Sequence, residues 1–514
     1  MSPNAVQEPT VPSSPTVATR RLTDRRPDLH HAPFSRRIVS TLATLALLVW
    51  VAACQPQPEP EDATFGASPP KNVIFFVLDG MGYNQIDAAS MYHQGAARYQ
   101  VGGPPGEVEP VGEPSEPIWS FEHFPVQLAV STHTALGQYD PQEAWTDFES
   151  VIGIEYEPTT VTGSAAAATA LSSGVKSIDP AVGLDANGEP VFHLADRARE
   201  LGKATGIVTN VPLNHATPAG FLVHNESRTN YHEIARAMIM ESNATLIMGT
   251  GHPYFDDNAQ PREEPNYFWI PEDVWGQVSG NQTSWTLVHE LEDFRALASG
   301  PTPERVLGIP HVTTADQFNR DPTPLARSHR EGPPGRVDPL EMPFETPLNE
   351  NVPSLAEMTA GALNVLRNAS DEGFFVMIES GALDWGGHWN LMGRAIEEIF
   401  FTDDAVQAVI DWVEAESSWD ETLIIVTSDH EAGHLWGPGS NPDWQPLENR
   451  GPDSLPGFEW YHTYHTNQLV PLFARGAGAE GFHAYAEGRN DPVRGPYLDN
   501  TEIAQWIFEL WGEG

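Results

Sequence analysis

Three runs of apolar residues constrain this chain more than any other feature. Val73-Ile74-Phe75-Phe76-Val77-Leu78, residues 374–378 (FFVMI) and Leu423-Ile424-Ile425-Val426-Thr427 each proceed without a charged residue. A short unbroken run of this kind suits a strand buried on both faces, as in a parallel sheet. The first run gives way to Asp79-Gly80-Met81-Gly82. The second is followed by Glu379, Asp384 and His388, and the third by Ser428-Asp429-His430. Open α/β sheets place their chemistry at the carboxyl ends of strands. Carboxylates that recur at that position, with imidazoles beside them, describe a metal site. Solvated loop polars are a sufficient reading of any one stretch, but scattered surface acids would not choose the same position three times. Oxygen and imidazole donors together suit zinc, and carboxylate with hydroxyl suits magnesium. The expected fold is α/β: a central, mostly parallel sheet with helices on both faces, plus a large insertion.

The formal net charge of −44 comes from 71 Asp and Glu against 27 Lys and Arg, and only Lys71, Lys176 and Lys203 are lysines. With 10% aromatic residues the chain can bury a sizeable core, so the charge dresses a surface and does not signal disorder. No basic patch is present to hold nucleic acid, and an acidic surface suits high salt. The length allows two or three domains, or one α/β core with insertions.

The first fifty or so residues read as targeting and not as fold. Arg36-Arg37 precedes an apolar run over residues 38–53 that is short for a membrane span. It ends in Val51-Ala52-Ala53-Cys54, which resembles the lipobox of bacterial lipoproteins. Cys54 is the only cysteine, so no disulfide framework accounts for it. Ser35-Arg36-Arg37 resembles, in part, a twin-arginine export signal. A plain signal peptide, or a short anchor with an incidental cysteine, is the alternative. Residues 54–70, rich in Pro and Glu, read as a flexible linker. The expected organisation is a lipoprotein-type signal over 1–53, that linker, and a catalytic domain over 71–514. The protein is expected to be exported to the periplasm or cell surface and held on a membrane by a lipid on Cys54.

Within the catalytic region, Tyr83–Gln94 reads as a helix stopped by Gly95. Residues 102–117 read as a surface loop, and helices are expected over 353–367, 395–415 and 501–511. The stretch Val161-Thr162-Gly163-Ser164 followed by alanines is a turn entering a helix, with Ser164 near its first turn. A serine oxygen there lies among free backbone N–H groups, which also attract phosphate; capping an Ala-rich helix is the plainer role. His215 and Thr217 face one site if their segment is extended. Arg228 offers a planar fork matched to phosphate oxygens. Residues 252–350, rich in Pro, Asp, Glu and Trp, read as an insertion or cap over the active-site end of the sheet.

Six blocks stand in order between Asn72 and Gly476: NVIFFVLDGMG, VTGSAAAATALSSGVK, HATPAGFLVHNESR, GFFVMIESGALDWGGH, IIVTSDHEAG and HTNQLVPLFARG. Together they resemble the alkaline phosphatase family. The resemblance implies that Ser164 is phosphorylated and then dephosphorylated in hydrolysing small phosphate monoesters. It implies two Zn2+ and one Mg2+ per active site. One zinc, held by Asp384, His388 and His465, activates the water that hydrolyses the phosphoserine. The second, held by Asp79, Asp429 and His430, lowers the serine's pKa. The magnesium sits near Asp79, Thr217 and Glu379, with His215 reaching it through water, and Arg228 grips the non-bridging oxygens. Homodimers are common in the family, although no segment here demands one.

Three positions depart from the usual pattern. His215 stands where some members have Asp, and Trp385 where others carry Lys or His; this combination looks like that of some marine bacterial enzymes, and the third metal site and phosphate release are expected to differ accordingly. Gly163 replaces the Asp that normally tethers the arginine, so a looser Arg228 and weaker phosphate binding are expected. A sulfatase is disfavoured because no Cys/Ser-x-Pro-x-Arg motif surrounds Ser164. A phosphodiesterase of the same superfamily is the nearest rival, and an inactive lipid-anchored binding protein is the rival from another class.

Overall fold

The three apolar runs lie side by side at the centre of an 11-stranded sheet. In chain order its strands are β1 (Asn72–Leu78), β2 (Val126–Ser131), β3 (Ala204–Pro212), β4 (Leu246–Thr250), β5 (Thr286–Val288) and β6 (Val306–Gly308). There follow β7 (Phe374–Ser380), β8 (Thr422–Thr427), β9 (Val470–Gly476), β10 (Asn490–Asp491) and β11 (Gly495–Asp499). Across the sheet the order is β10-β11-β2-β9-β8-β1-β7-β3-β4-β6-β5. Every neighbouring pair from β8 to β5 is parallel, and β11 is parallel to β2. β9 runs antiparallel to both of its neighbours. This is a mixed, mostly parallel α/β sheet. The computed structural model describes residues 69–153, 159–321 and 339–512, all belonging to one compact unit, residues 64–514. The run before Cys54, Cys54 itself and most of the linker lie outside the described residues.

β1 shows why unbroken apolar runs were needed. Ile74, Phe76 and Leu78 pack on one face of the sheet, while Val73, Phe75 and Val77 pack on the other, all with no exposure. The first face is covered by helices α1 (Tyr83–Gln94), α5 (Leu355–Ala369) and α7 (Met392–Glu416). The other is covered by α2 (Ser164–Ser173), α3 (Leu194–Glu200) and α8 (Asn500–Leu510). Helix α1 ends at Gly95, whose φ of 65° makes the left-handed cap that the sequence announced. Two more short helices serve the site: α4 (Ala216–Gly220) and α6 (Ala382–His388).

The segment 252–350 differs from a simple cap. It contributes β5 and β6, which extend the sheet at one edge, and a helix over Glu272–Ser279. Its later part returns to the site: Ala315 and Phe318 pack with Val211, Ala382 and Trp385. Strands of three residues leave too short a hydrophobic pattern to separate from loop, and that is why the sheet edge was hidden. No helix among the described residues is long and apolar enough to cross a membrane.

Candidate active site

β1, β7 and β8 are parallel, so their carboxyl ends meet on one edge of the sheet and bring Asp79, Glu379, Asp429 and His430 together. His465 arrives from the other direction. It precedes β9, and an antiparallel strand places its amino end beside its neighbours' carboxyl ends. A short pairing of His465–Thr466 with Glu431–Ala432 then fixes it in place. Asp384 and His388 come from the short helix α6. The helical spacing i, i+4 puts both on one face. Gly80 makes this close approach feasible. It sits at φ 82°, and a Cβ there would lie 2.6 Å from the Asp384 Cα.

Two donor clusters result. In the first, His388 Nε2 lies 3.1 Å from Asp384 Oδ2, His465 Nε2 lies 3.2 Å from Asp384 Oδ1, and the two imidazole Nε2 atoms are 3.1 Å apart. The opposite nitrogens contact backbone carbonyls: His388 Nδ1 that of Thr463 at 2.7 Å, and His465 Nδ1 that of Thr162 at 2.9 Å. A carbonyl at Nδ1 holds the proton there and leaves the Nε2 lone pair facing the cluster. In the second, His430 Nε2 lies 3.1 Å from Asp429 Oδ2 and 3.5 Å from Asp79 Oδ1. Ser164 Oγ, at the first residue of α2, is 3.4 Å from the same nitrogen. The His430 and His465 rings stack with centroids 3.5 Å apart, so the clusters adjoin.

A third set of oxygens continues from the second. Thr217 donates to Asp79 Oδ2 at 3.2 Å, and Thr209 donates to Glu379 Oε2. His215 and Thr217 meet here differently from the extended pairing expected. His215 caps α4 and Thr217 lies in its first turn, so both side chains open at the helix mouth. The His215 ring stands edge-on to Trp385, centroids 6.0 Å apart.

The electrostatics call for cations. Asp79, Glu379, Asp384 and Asp429 are at most 3% exposed; Glu379 Oε1 has no hydrogen-bond partner, and Asp79 Oδ1, Asp384 Oδ1 and Asp429 Oδ2 meet only the Nε2 atoms of His430 and His465. Burial raises the Asp79 carboxyl well above its ordinary range, and Asp429, Asp384 and Glu379 push the same way. Burial likewise lifts Glu379 to about 8. Buried carboxylates with unused lone pairs cost several kcal/mol each unless a cation answers them. The donor sets fit metal ions on chemical grounds: one carboxylate with two imidazoles, two carboxylates with one imidazole, and two carboxylates with a hydroxyl. Chelation followed by removal of the chelate is therefore expected to lower the melting temperature by about 10 °C or more. Differential scanning calorimetry checks this, and an unchanged melting point would exclude ions from the folded ground state.

Arg228, 7% exposed, is brought in by its backbone: its amide donates to the Pro180 carbonyl at 2.8 Å. One guanidinium nitrogen lies 3.4 Å from His215 Nε2. The place left open by Gly163 is not empty. Gly163 N–H donates to Asp179 Oδ2 at 2.5 Å, and Ala166 N–H to Asp179 Oδ1 at 3.3 Å. A Cβ on Gly163 would lie 2.8 Å from Asp179 Oδ1. Burial raises the Asp179 carboxyl, while the two amides and Arg228 pull it back. The carboxylate expected to be missing beside the serine is thus supplied by a residue 16 positions later in the chain. Asp179 and Thr209 were not singled out from sequence. Asp179 lies in SIDP, a stretch that reads as an ordinary turn, and only the tertiary contact gives it meaning.

Residues 70–450 match the sequence profile of the family described as Alkaline phosphatase. That span is well over half of the chain, and the chain belongs to the alkaline phosphatase family. It is 29% identical over 280 residues to Alkaline phosphatase 4 of Bacillus subtilis, covering 53% of this chain and 50% of that protein. It is 26% identical over 382 residues to the alkaline phosphatase of Escherichia coli, covering 70% of each. The match thus spans only about half the length of the Bacillus relative. The fold is similar to that of TAB5 alkaline phosphatase in a variant with Mg bound in the M3 site: TM-score 0.55, 22% identity, 87% of this chain and 99% of that one.

Proposed function

We propose that this protein hydrolyses phosphate monoesters through a phosphoserine formed on Ser164, and that it does so outside the cytoplasm. The observation that carries the reading is the position of Ser164 Oγ. It opens a buried helix and lies 3.4 Å from His430 Nε2, in a wall of carboxylates and imidazoles with unused donor atoms.

Each group has a task that follows from its place. The free amides at the start of α2 favour negative charge on the phosphoryl group. Arg228 supplies a fixed, planar positive charge for the non-bridging oxygens, whose charge spreads in the transition state. Ser164 Oγ loses its proton to solvent and forms the new bond to phosphorus while the leaving oxygen departs with the bonding electron pair and takes up a proton; water, losing a proton in turn, then attacks the phosphorus, and the serine oxygen leaves and is reprotonated. Asp384, His388 and His465 would hold one Zn2+, and Asp79, Asp429 and His430 a second. Asp79, Glu379 and Thr217, with His215 beside them, would hold one Mg2+. Bound there, such ions supply Lewis-acid charge against serine, water and phosphoryl oxygens.

Export, and anchoring through Cys54, are supported by the sequence alone: the apolar run over 38–53 and the lipobox-like VAAC. Pairing into homodimers is supported by family resemblance only. The test of function compares a monoester, a diester and a sulfate ester with the same aryl leaving group, on mature protein supplied with zinc and magnesium. A monoester preference of about 10²-fold or more is expected from an arginine clamp on three free oxygens. A diester preference would transfer the protein to the phosphodiesterase reading, and no turnover at all to the binding-protein one.

A further inference from the structure

The sheet carries a second convergence of ligand side chains that shares no residue with the active site. His252 follows β4 by two residues, His289 follows β5 by one, and His311 follows β6 by three. β4, β6 and β5 are adjacent and parallel, so the three imidazoles emerge at the carboxyl ends of neighbouring strands. One ring nitrogen of each lies within 4.8 Å of the other two. We propose that His252, His289 and His311 bind a divalent transition ion, Zn2+ in the first instance, which clips the edge of the sheet together.

The geometry within the cluster favours a cation over three idle rings. His311 Nε2 and His289 Nδ1 are 3.3 Å apart, which is also about the separation of two nitrogens on one tetrahedral zinc. The far nitrogen of His311 lies on the side of a carboxylate, with Nδ1 3.8 Å from Glu290 Oε2, beyond hydrogen-bond distance. His252 is only 3% exposed, and its Nε2 has no hydrogen-bond partner. Its Nδ1 accepts from the Tyr254 amide at 3.2 Å, which puts the proton of the neutral ring on Nε2, where nothing receives it. Coordination through Nε2 replaces that stranded N–H with a metal bond and moves the proton to Nδ1, giving up the long contact from Tyr254.

Aromatic side chains line the cluster. His311 stacks on Phe255 at 3.9 Å, and His252 stands edge-on to Trp275 at 4.7 Å. Neutral imidazoles without a carboxylate select zinc, copper, nickel or cobalt over magnesium or calcium. The need for a clip is topological: β5 is three residues long, lies at the sheet edge and, among the described residues, pairs only with β6.

The test is metal analysis of purified full-length protein after equilibration with excess Zn2+ and removal of loose ions, for wild type, His289→Ala and His311→Gln. Both substituted residues are half-buried, and glutamine retains much of the imidazole's volume. The expected result is one zinc equivalent fewer per chain in each variant, aryl phosphate turnover within about twofold of wild type, and a melting temperature lower by about 5 °C. Cobalt substitution provides a second readout: four-coordinate absorption that is weaker in the variants than in wild type. Equal zinc content in all three proteins would overturn the proposal. So would a wild-type cobalt spectrum that the variants reproduce in full. The zinc content and the cobalt spectrum do not depend on whether the active site hydrolyses phosphate.

Discussion

Ser164→Ala yields a folded protein that turns over aryl phosphate at least about 10³-fold more slowly and acquires no phosphoryl group. The side chain is 1% exposed at the head of a helix built from alanines, so removing one oxygen leaves a pocket smaller than a water molecule and costs little stability. Helix α2 keeps its packing, because its tight contacts belong to other residues: Ser172 donates to the Gly220 carbonyl at 2.6 Å. Every donor that faces the phosphoryl group also remains, including the amides of α2 and Arg228. Phosphate should therefore bind the variant with near-normal affinity while chemistry stops. Intact mass after brief exposure to substrate, and calorimetric titration with inorganic phosphate, read the two effects separately. Full activity in the variant would remove Ser164 as the nucleophile.

The second large effect concerns Gly163. Family resemblance suggests that restoring aspartate would steady Arg228, but the structure reverses the sign. Gly163 has φ −100° and ψ 171°, an extended conformation open to any residue, so space and not backbone strain requires glycine. Its missing side chain is the room occupied by the Asp179 carboxylate. Gly163→Asp would set two carboxylates within about 3 Å of each other in a buried site, which costs several kcal/mol. Phosphate inhibition should weaken by about 30-fold or more, with a similar fall in kcat/KM. Asp179→Ala should also lose affinity, because the amides of Gly163 and Ala166 lose their acceptor and Arg228 a nearby negative charge. The double variant Gly163→Asp with Asp179→Ala is expected to recover much of the loss, since it returns one carboxylate to one place. Strictly additive losses across this cycle would show that Asp179 has no part in steadying the arginine.

The cycle also shows what the sequence could and could not say. The centre of the sheet was legible because burial on both faces leaves runs such as Val73 to Leu78 no room for polar residues. The ligands at its edge were legible because a carboxylate directly after such a run has few other reasons to be there. Asp179 was illegible because its role depends on a contact across 16 positions, inside a turn whose composition is ordinary. The helical setting of Asp384 and His388 was hidden by two glycines, which argue for a loop until packing overrides them. His252, His289 and His311 carry a fainter form of the main signature, an apolar run followed at once or shortly by a ligand. The stretch 246–251 before His252 reads as a strand and turn, but the strands before His289 and His311 are three residues long, too short to leave a pattern.

The reversed direction of β9 has a consequence for the order in which the protein can be made. The consecutive parallel strands β8, β1 and β7 carry most of the ligand set, yet His465 arrives only with the returning strand beside β8. A nascent chain emerging amino end first holds Asp79 long before the residues that join it, and the contacts that close the site are among the most distant in sequence. Ion capture must therefore be a late event in the life of each molecule. A chain stopped short of residue 465 would have most of a sheet, four buried acids without their full complement of imidazoles, and every reason to be cleared by proteases.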